Sequence, residues 1–291
     1  MRQFASDDQA AASSKDNLWQ QDEQGNWRID PERDALRMAN HTRVYHTRPS
    51  REVLHEAVTR QFHSGEGAIQ FAPEAIARSN ADLLSTPELR REFIDIYCDQ
   101  GKEEAGRWLN LNHGPIAEDE LEHRLGRYGL NPCGEILGAD FHCNLAEVHL
   151  NQIDPSDEEG QRDAFRAGAL SVACLLNHEF EVKRYRQSRA WDPIVGVSFT
   201  GLFDFFVHAF GTPWLQWWEA GRPNTEEGQE FKRCEAEYLS RWKATVNEAV
   251  WEYCDRHGLR RPNRCTTVQP AGTKSLLTGA APGWHPPKAQ R

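Results

Sequence analysis

The chain has 291 residues, of which 27% are charged, and its formal net charge is −10. This length is enough for one large domain or two small ones, each with a sizeable core. The sequence has no run of about 18 apolar residues, which argues against a membrane span. Residues 1–8 lack the apolar stretch that is typical of a secretory signal. We therefore expect a cytoplasmic protein without a membrane partner.

The negative net charge also argues against a general nucleic-acid binder, which normally carries a basic face. Two local basic clusters, one in residues 184–189 and one in residues 260–264, are interpreted as solvated charged faces. The seven cysteines are odd in number, irregularly spaced and without a Cys-x-x-Cys pair. This pattern fits neither a disulfide framework nor a zinc ribbon.

Residues 1–25 are polar and rich in Ala, Ser, Asp and Gln, so we expect a flexible leader before a domain of residues 26–291. Capping residues and the spacing of apolar residues then predict a series of helices. They cover residues 50–62, 73–79, 86–97, 158–186, 202–210, 212 onwards and 224–257. The predicted strands are Ala68–Phe71, Cys143–Leu150 and Cys265–Gln269. Short strands between long helices predict an α/β fold with a parallel element.

The loop Asn131-Pro132-Cys133-Gly134-Glu135-Ile136 places a thiol and a carboxylate two positions apart. Pro132 fixes one backbone dihedral and Gly134 permits a tight turn, so the side chains of Cys133 and Glu135 can point into one cavity. A second thiol, Cys143, opens a strand-like run. A nucleophile or radical carrier, an acid/base group and a spare reductant are thus expected to meet. That combination suits redox chemistry on a hydroxylated substrate better than simple hydrolysis.

A second loop, residues 269–275, follows a β-rich run and precedes two leucines where a helix can begin. Such a junction directs backbone N–H groups towards an anion. Gly272 permits close approach of the backbone, Thr273 and Ser275 offer hydroxyls, and Lys274 adds charge. The spacing is not that of a Walker A loop. From these residues alone, an anion site and an ordinary helix cap both stay open.

Taken together, these strings resemble ribonucleotide reductases, in particular the monomeric adenosylcobalamin-dependent (class II) ribonucleoside-triphosphate reductases. The resemblance extends from about residue 26 to the last residue. It rests on Arg37–Arg43, Ser64–Gly67, Asn131–Ile136, Cys143–Leu145, Asp192–Gly196 and Pro270–Ser275. It implies a helix-rich α/β fold that is part of a ten-stranded α/β barrel, with a central finger loop that has residues 131–136 at its tip.

The resemblance also implies a role for each motif residue. Cys133 is then the thiyl radical that removes hydrogen from C3′ of the ribose, and Glu135 is the base for the 3′-hydroxyl. Asn131 hydrogen-bonds the sugar, and Cys143 is one of two thiols that reduce the 2′ position and end as a disulfide. The substrate phosphates are bound by Pro270, Ala271, Gly272, Thr273, Lys274 and Ser275.

The chemistry of the residues agrees with these implied roles. A thiyl radical can take a carbon-bound hydrogen because the S–H bond that forms is of comparable strength. Loss of the 2′-hydroxyl as water needs a base at one oxygen and a proton donor at the other. By the resemblance, the radical starts on adenosylcobalamin, which the protein positions and shields. The implied substrate is a ribonucleoside triphosphate, and an external reductant, expected to be thioredoxin-like, resets the thiols.

The chain is short for a whole reductase of this kind, so we expect a central piece that lacks flanking reductase segments. The second reducing cysteine, the first half of the barrel and the effector site are expected upstream, and further barrel with a cysteine pair downstream. A piece of this kind is expected to be inactive alone. It is also expected to aggregate, because half a barrel leaves sheet edges open.

Three alternatives to the class II prediction are kept. A class I large-subunit fragment would depend on a separate radical-generating subunit. A cysteine-nucleophile hydrolase or transferase would use Cys133 with His142 or His149 as its base. A zinc-binding module would use Cys133, Cys143 and the same two histidines, although adjacent His142 and Cys143 are awkward ligands for one tetrahedral site.

Overall fold

The structure, a computed structural model, describes residues 2–64 and 67–287. The chain divides into two units. Unit 1 comprises Met1–Pro132 with Leu137–Ala139, and unit 2 comprises Cys133–Ile136 with Asp140–Arg291. Gly65 and Glu66 of the string Ser64–Gly67, on which part of the resemblance rests, lie outside the described residues, as do residues 288–291.

Unit 1 opens with short strands and helices and continues with longer helices. Its strands are β1 (Arg2–Ala5), β2 (Trp19–Gln21), β3 (Trp27–Ile29), β4 (His41–Tyr45), β5 (Ala68–Phe71), β6 (Gly129–Leu130) and β7 (Leu137–Gly138). Its helices are α1 (Gln9–Ser13), α2 (Asp34–Arg37), α3 (Arg51–Ser64), α4 (Ala72–Ser79), α5 (Pro87–Gln100), α6 (Lys102–His113) and α7 (Glu118–Leu125). Strands β1, β4 and β5 form a parallel sheet in that order, whereas β2 with β3 and β6 with β7 form antiparallel pairs.

The first 25 residues, expected to be a flexible leader, carry regular structure instead. Strand β1 pairs in parallel with β4, with Arg2 opposite His41. The carboxylate of Asp8 caps α1 by accepting a hydrogen bond from the Ala11 N–H at 2.9 Å. Backbone ladder bonds do not require apolar side chains, so the polar composition does not reveal this pairing. The boundary at residue 26 stays a prediction.

The core of unit 1 lies among helices α4 to α7, where Phe93 and Leu109 are fully buried. The predicted helices over residues 73–79 and 86–97 are confirmed as α4 and α5. Thr86 caps α5 through a hydrogen bond from the Leu89 N–H. Helix α3 is also confirmed in extent, but most of its apolar side chains are exposed. These are Val53, Leu54, Val58 and Phe62.

Unit 2 consists of a small parallel sheet covered by long helices. Its strands are β8 (Leu145–His149) and β9 (Gly196–Thr200). Its helices are α8 (Glu158–Ala173), α9 (Lys183–Trp191), α10 (Leu202–Glu219) and α11 (Glu226–Arg256), and 3₁₀ segments cover Leu150–Gln152, Cys174–Asn177 and Lys274–Leu277. Strand β8 pairs in parallel with β9, and Val197 of β9 also forms a parallel bridge with Thr266.

The core of unit 2 lies between this sheet and helices α8, α10 and α11. Trp242 of α11 stacks on Phe165 of α8 with ring centroids 5.0 Å apart, and its indole N–H donates to the side-chain oxygen of Gln161 at 3.1 Å. The apolar stripe predicted for residues 224–257 is therefore confirmed at Trp242, Val246 and Val250, which are all buried. Aromatic burial on this scale is a major source of stability for a unit of this size.

Two predictions of local structure are wrong. The helix expected over residues 158–186 ends at Ala173, continues as a 3₁₀ segment to Asn177 and resumes only at Lys183. The strand expected over residues 265–269 is reduced to the single bridge at Thr266. The first failure has a visible cause: Arg186 donates to the carbonyls of Phe180 and Glu181, which replaces the helical bonds of this turn.

The sequence predicts one helix that ends at residue 210 and another that begins at residue 212. The structure has this break inside α10. Gly211 has a φ of 71° and a ψ of −161°, so the helical path breaks there. Pro213 follows two residues later, in the first turn of the second helical stretch, where its missing N–H leaves no bond unmade.

The described residues form a helix-rich α/β protein with small sheets. Over this part of the chain, no helix has both the length and the apolar character required to cross a bilayer.

Replacing Trp242 by alanine is expected to lower the free energy of unfolding of unit 2 by about 3–5 kcal/mol, because a buried indole leaves a cavity. Trp284→Ala is the matched control: this indole is 55% exposed, and its removal should change stability by no more than about 0.5 kcal/mol. Urea unfolding followed by circular dichroism measures both. Equal destabilisation by the two changes would contradict the packing described above.

Candidate functional site

The loop that carries Cys133 is the connection of a short hairpin. Gly129 pairs with Gly138 and Leu130 with Leu137, so residues 131–136 link β6 to β7. Gly134 has a φ of 83°, a backbone conformation that side-chain-bearing residues rarely adopt. Cys133 is exposed beside it. The glycine therefore permits the turn that presents the thiol.

Glu135 is tied to the rest of unit 2 through its backbone. The hydroxyl of Thr267 donates to the Glu135 carbonyl at 2.9 Å, and the Thr267 N–H donates to the carbonyl of Val197 in β9 at 3.1 Å. On the side chain of Glu135, the carboxylate oxygen Oε2 is shielded from solvent. A single threonine thus connects the residue two positions after Cys133 to the parallel sheet.

The approach of Thr267 to the sheet depends on the absence of a side chain at Gly196. A Cβ atom at Gly196 would lie 2.7 Å from Leu145 Cδ2 and 2.9 Å from Thr267 Cγ2. Both distances are far below van der Waals contact. The methyl group of Thr267 and the end of Leu145 therefore occupy the space that any larger residue would fill.

The two paired strands have one apolar and one polar face. Val148 and Val197 belong to the core shared with α8, where a Cβ on Gly168 would contact both of them. Since side chains alternate along a strand, Glu147 and Ser198 lie on the opposite face. Ser198 is completely buried although it is polar. A buried polar face of this kind requires hydrogen-bond partners.

The segment that follows Thr266 supplies those partners. The Gln269 N–H donates to Ser198 Oγ at 3.0 Å, and the Thr200 hydroxyl accepts from the Gly283 N–H at 2.9 Å. The imidazole Nδ1 of His149 lies 2.7 Å from the Thr278 hydroxyl. The polar face is therefore covered by residues 267–283, which include the predicted phosphate loop. The other contacts of this kind are Thr200 Oγ1 to Ala281 O and Asn151 Nδ2 to Thr278 O.

Cys143 lies two residues before β8 and is exposed. The next residue, Asn144, is buried and fixes the start of the strand. Its carbonyl accepts from the Gly196 N–H at 2.8 Å, and its side-chain amide donates to the Ile194 carbonyl at 3.2 Å. The predicted reducing thiol is therefore attached to a rigid strand end.

The loop of residues 270–275 is a turn that leads into a 3₁₀ segment instead of an α-helix. The Ser275 hydroxyl donates to the Gly272 carbonyl at 2.7 Å, which closes the turn on itself. Ala271 and Ser275 are buried, whereas Pro270, Gly272, Thr273 and Lys274 are exposed. The helix start expected from the sequence is thus wrong in type, and phosphate binding by this loop stays a prediction.

Lys274 forms an ion pair with a buried carboxylate. Its ammonium Nζ lies 3.2 Å from Glu147 Oε2, and the Glu147 side chain is only 5% exposed. Glu147 is on β8, four positions after Cys143. The charge of Lys274 is consequently held over the strand that follows the second thiol.

These contacts join three of the predicted elements within unit 2. Thr267 links Glu135 to the segment of the phosphate loop, and Glu147 links that loop to the strand after Cys143. Asn131 belongs to unit 1, where it is buried. Its predicted contact with a sugar stays a prediction.

Sequence reasoning missed most residues of the polar face. They are Glu147, Ser198, Thr200 and Thr267, whereas His149 was considered only as a base or a zinc ligand. The available signal was the period-two alternation of polar and β-branched or aromatic residues in Leu145–His149 and Gly196–Thr200.

Both histidines of the hydrolase alternative are engaged by other groups. His142 stacks on Phe180 with centroids 4.2 Å apart, and burial, aided by Arg189 and His178, lowers its pKa. His149 is held by Thr278. For the zinc alternative, no group of three or more His, Cys, Asp or Glu residues within residues 2–64 and 67–287 is placed to hold a metal ion.

In the comparison with known proteins, this chain is similar to adenosylcobalamin-dependent ribonucleoside-triphosphate reductases. No protein-family model matches the chain. The chain is 30% identical over 165 residues to the adenosylcobalamin-dependent ribonucleoside-triphosphate reductase of Levilactobacillus brevis, a match that covers 54% of this chain and 22% of the relative. It is 28% identical over 186 residues to the enzyme of the same name from Lacticaseibacillus paracasei, covering 61% of this chain and 24% of the relative.

A solved B12-dependent (class II) ribonucleotide reductase aligns with a TM-score of 0.41 at 22% identity, over 55% of this chain and 23% of that one. The sequence matches confirm the resemblance to class II reductases that the motifs indicate. The matches span 22% and 24% of the length of the two curated relatives.

Thr267→Val keeps the shape of residue 267 but removes its hydrogen bond to Glu135, with an expected loss of about 1 kcal/mol. Amide hydrogen exchange in residues 131–136 should become faster. Thr245→Val is the matched control, because it removes a threonine hydroxyl bond to the Arg241 carbonyl on α11. Exchange in 131–136 that is unchanged by Thr267→Val, or raised equally by Thr245→Val, would refute the anchoring role.

The thiols should react with an alkylating reagent in two groups, because the thiolate is the reactive form. Cys133, Cys143 and Cys174 are exposed and should be labelled first. Burial raises the pKa of Cys265 to about 12, and burial also raises the pKa of Cys254, so both should resist labelling in the folded chain. Peptide mass mapping after timed alkylation measures the order. Early labelling of Cys265 would contradict its burial.

Proposed function

We propose that this chain is part of the catalytic barrel of an adenosylcobalamin-dependent ribonucleoside-triphosphate reductase. The reaction reduces a ribonucleotide to a deoxyribonucleotide by thiyl-radical chemistry, for DNA synthesis in the cytoplasm. The chain forms part of a ten-stranded α/β barrel, and residues 131–136 are the tip of its central finger loop.

One observation carries this proposal: an exposed thiol stands in a hairpin turn whose backbone is bound to the polar face of a parallel sheet. Thr267 makes that connection. The same face carries the strand after Cys143 and is covered by the segment that contains residues 270–275. A thiol next to a carboxylate, a second thiol before the strand and a phosphate loop are the parts that ribonucleotide reduction needs.

The sequence similarity supports the same reaction. The two matched relatives share the name of adenosylcobalamin-dependent reductase, and their matches cover more than half of this chain. The alternation along β8 and β9, apolar towards the helices and polar on the other side, suits the wall of a barrel with a polar interior.

The residues of the hairpin fit a cofactor that starts a radical. Cys133 is exposed in its turn, so its sulfur is open to a group that arrives from outside the chain. When bound, adenosylcobalamin supplies the radical that removes the hydrogen atom from this thiol. The chain's own contribution is to hold the sulfur at the tip of a fixed turn.

Cys133 and Glu135 act on the 3′ carbon of the ribose. The Cys133 sulfur radical takes the hydrogen atom from C3′, forming an S–H bond and a carbon radical, and returns that hydrogen at the end. Glu135 accepts the proton of the 3′-hydroxyl while one of the two reducing thiols, Cys143 or its partner outside this chain, protonates the 2′-hydroxyl, which leaves as water. Asn131 hydrogen-bonds the sugar and so fixes its position relative to Cys133 and Glu135.

Cys143 supplies one half of the two-electron reduction at the 2′ position. Its thiol and a second thiol outside this chain together give two electrons and become a disulfide. A thioredoxin-like protein then reduces that disulfide for the next turnover. The rigid start of β8 at Asn144 gives this thiol a fixed position relative to the sheet.

The loop of residues 270–275 binds the triphosphate of the substrate. We expect the exposed hydroxyl of Thr273 and backbone N–H groups of the turn to contact the phosphates, and Lys274 to provide positive charge. The ion pair with Glu147 limits the movement of Lys274 and places its charge at the polar face.

Cys133→Ser should abolish formation of deoxynucleotide from a ribonucleoside triphosphate, because a serine oxygen cannot carry this radical. The assay uses adenosylcobalamin, a dithiol and the chain together with its flanking reductase segments. Cys174→Ser is the matched control: it also removes an exposed thiol, but one at the end of α8, and it should retain activity.

The same assay separates the alternatives. Deoxynucleotide formation that needs no adenosylcobalamin but does need a second subunit would favour a class I enzyme. Loss of a hydrolytic activity in Cys133→Ser, without any need for a dithiol, would favour the cysteine hydrolase. Undiminished reduction by Cys133→Ser would refute the proposed function.

A further inference from the structure

A basic cleft of about 710 Å³ lies in unit 2 between the turn after α8, helix α9 and the turn after α11. Its charged lining consists of three arginines and one glutamate, in a chain whose net charge is −10. The residues that matter for its chemistry are Asn177, His178, Glu179, Arg186, Arg189 and Arg260. It uses no residue of the 131–136 or 270–275 loops.

Five of the six arginines of the two basic clusters separate into two groups. Three of them pair with carboxylates outside the cleft: Arg184 with Asp140, Arg261 with Asp255 and Arg264 with Asp192. Arg186 and Arg189 line the cleft, and their guanidinium groups donate to backbone carbonyls instead. Within the described part of the chain, neither of them forms an ion pair with a carboxylate. The cleft thus contains two arginines that are held by backbone carbonyls.

Arg189 is fixed before any ligand arrives. Its guanidinium lies over the ring of Phe180, 4.3 Å from the centroid, and donates to the Leu175 carbonyl at 2.7 Å. The ring of Phe180 also contacts His142, His178 and Tyr185, so the ring itself is held in place. Burial lowers the pKa of Arg189. A partly desolvated cation with only carbonyl partners is stabilised when an anion enters beside it.

We propose that this cleft is a binding site for the polyphosphate group of a small ligand, with Arg186 and Arg189 as its principal contacts and Arg260 at its edge. A guanidinium offers a planar pair of donors that matches two oxygens of one phosphate. Two such groups on one helix match an anion that carries several charges. The volume is within the range of about 300–1,000 Å³ that is usual for small-molecule sites.

The test is calorimetric titration of the purified chain at fixed ionic strength with inorganic tripolyphosphate, ATP, adenosine and citrate. Tripolyphosphate and ATP should both bind, while adenosine and citrate should not. Arg189→Gln and Arg186→Gln should each weaken tripolyphosphate binding roughly tenfold, the loss expected for one charge-assisted pair.

Arg184→Gln is the matched control. It removes the same charge from the same helix, but Arg184 is paired with Asp140, so binding should change by less than about twofold. Circular dichroism shows whether each variant is folded. Arg186 is the more exposed of the two contacts, so Arg186→Gln tests the site even if Arg189→Gln unfolds the chain.

Lys274→Gln distinguishes this site from the proposed substrate loop, since it should leave tripolyphosphate binding at the cleft unchanged. The proposal is overturned if tripolyphosphate does not bind, if ATP binds and tripolyphosphate does not, or if Arg184→Gln weakens binding as much as Arg186→Gln. Tighter binding of a single-stranded oligonucleotide than of ATP would overturn it in favour of a nucleic-acid surface.

Discussion

The parallel pairing of β8 with β9 turns Val148 and Val197 towards the helices and Glu147 and Ser198 away from them. The apolar side is anchored by the core around Trp242, which alone would make this an ordinary helix-covered sheet. The polar side is the unusual one, because Ser198 and Thr200 are buried and hydrogen-bonded instead of solvated. Every motif segment of unit 2 contacts this polar side or its ends, so the position of the proposed chemistry depends on the pairing.

The covering segment 267–283 satisfies the polar face mainly through backbone groups. Gln269 and Gly283 donate their N–H groups to side-chain oxygens of the strands. Fixed backbone partners leave these side chains little freedom, so the surface that faces the hairpin tip is preorganised. Gly196 contributes to the same end by leaving room for Thr267.

The ion pair of Glu147 with Lys274 joins a buried carboxylate to a half-exposed ammonium group. Burying a carboxylate is unfavourable unless a cation or hydrogen bonds compensate. The ion pair by itself therefore adds little to the free energy of unfolding. Its placement between the strand after Cys143 and the 270–275 turn gives it a positional role. The ion pair holds the turn at the strand that follows the second thiol.

Much of the helical structure could be predicted from local signals. Thr86 and the spacing around Phe93 suffice for α5, and Trp242 with Val246 marks the buried side of α11. The break after Asn177 could not be predicted, because it depends on Arg186 and Arg189 reaching carbonyls of residues that precede them.

In the candidate site, too, some residues could be predicted from the sequence and others could not. Cys133, Glu135 and Cys143 were visible because their residue types and spacing carry chemistry. Thr267 and Glu147 were not, because each acts through a partner more than a hundred residues away in the chain. The polar faces of β8 and β9 were readable as alternation, but the segment that covers them was not.

The central claim is that the Cys133 sulfur carries the radical that begins reduction. Electron paramagnetic resonance tests it on the protein with its flanking segments, frozen after mixing with adenosylcobalamin, a dithiol and a ribonucleoside triphosphate. The account predicts a paramagnetic signal whose hyperfine pattern changes when the cysteine β-protons are replaced by deuterium, and which is absent in Cys133→Ser. A signal that is indifferent to that deuteration, or one that persists in Cys133→Ser, would contradict it.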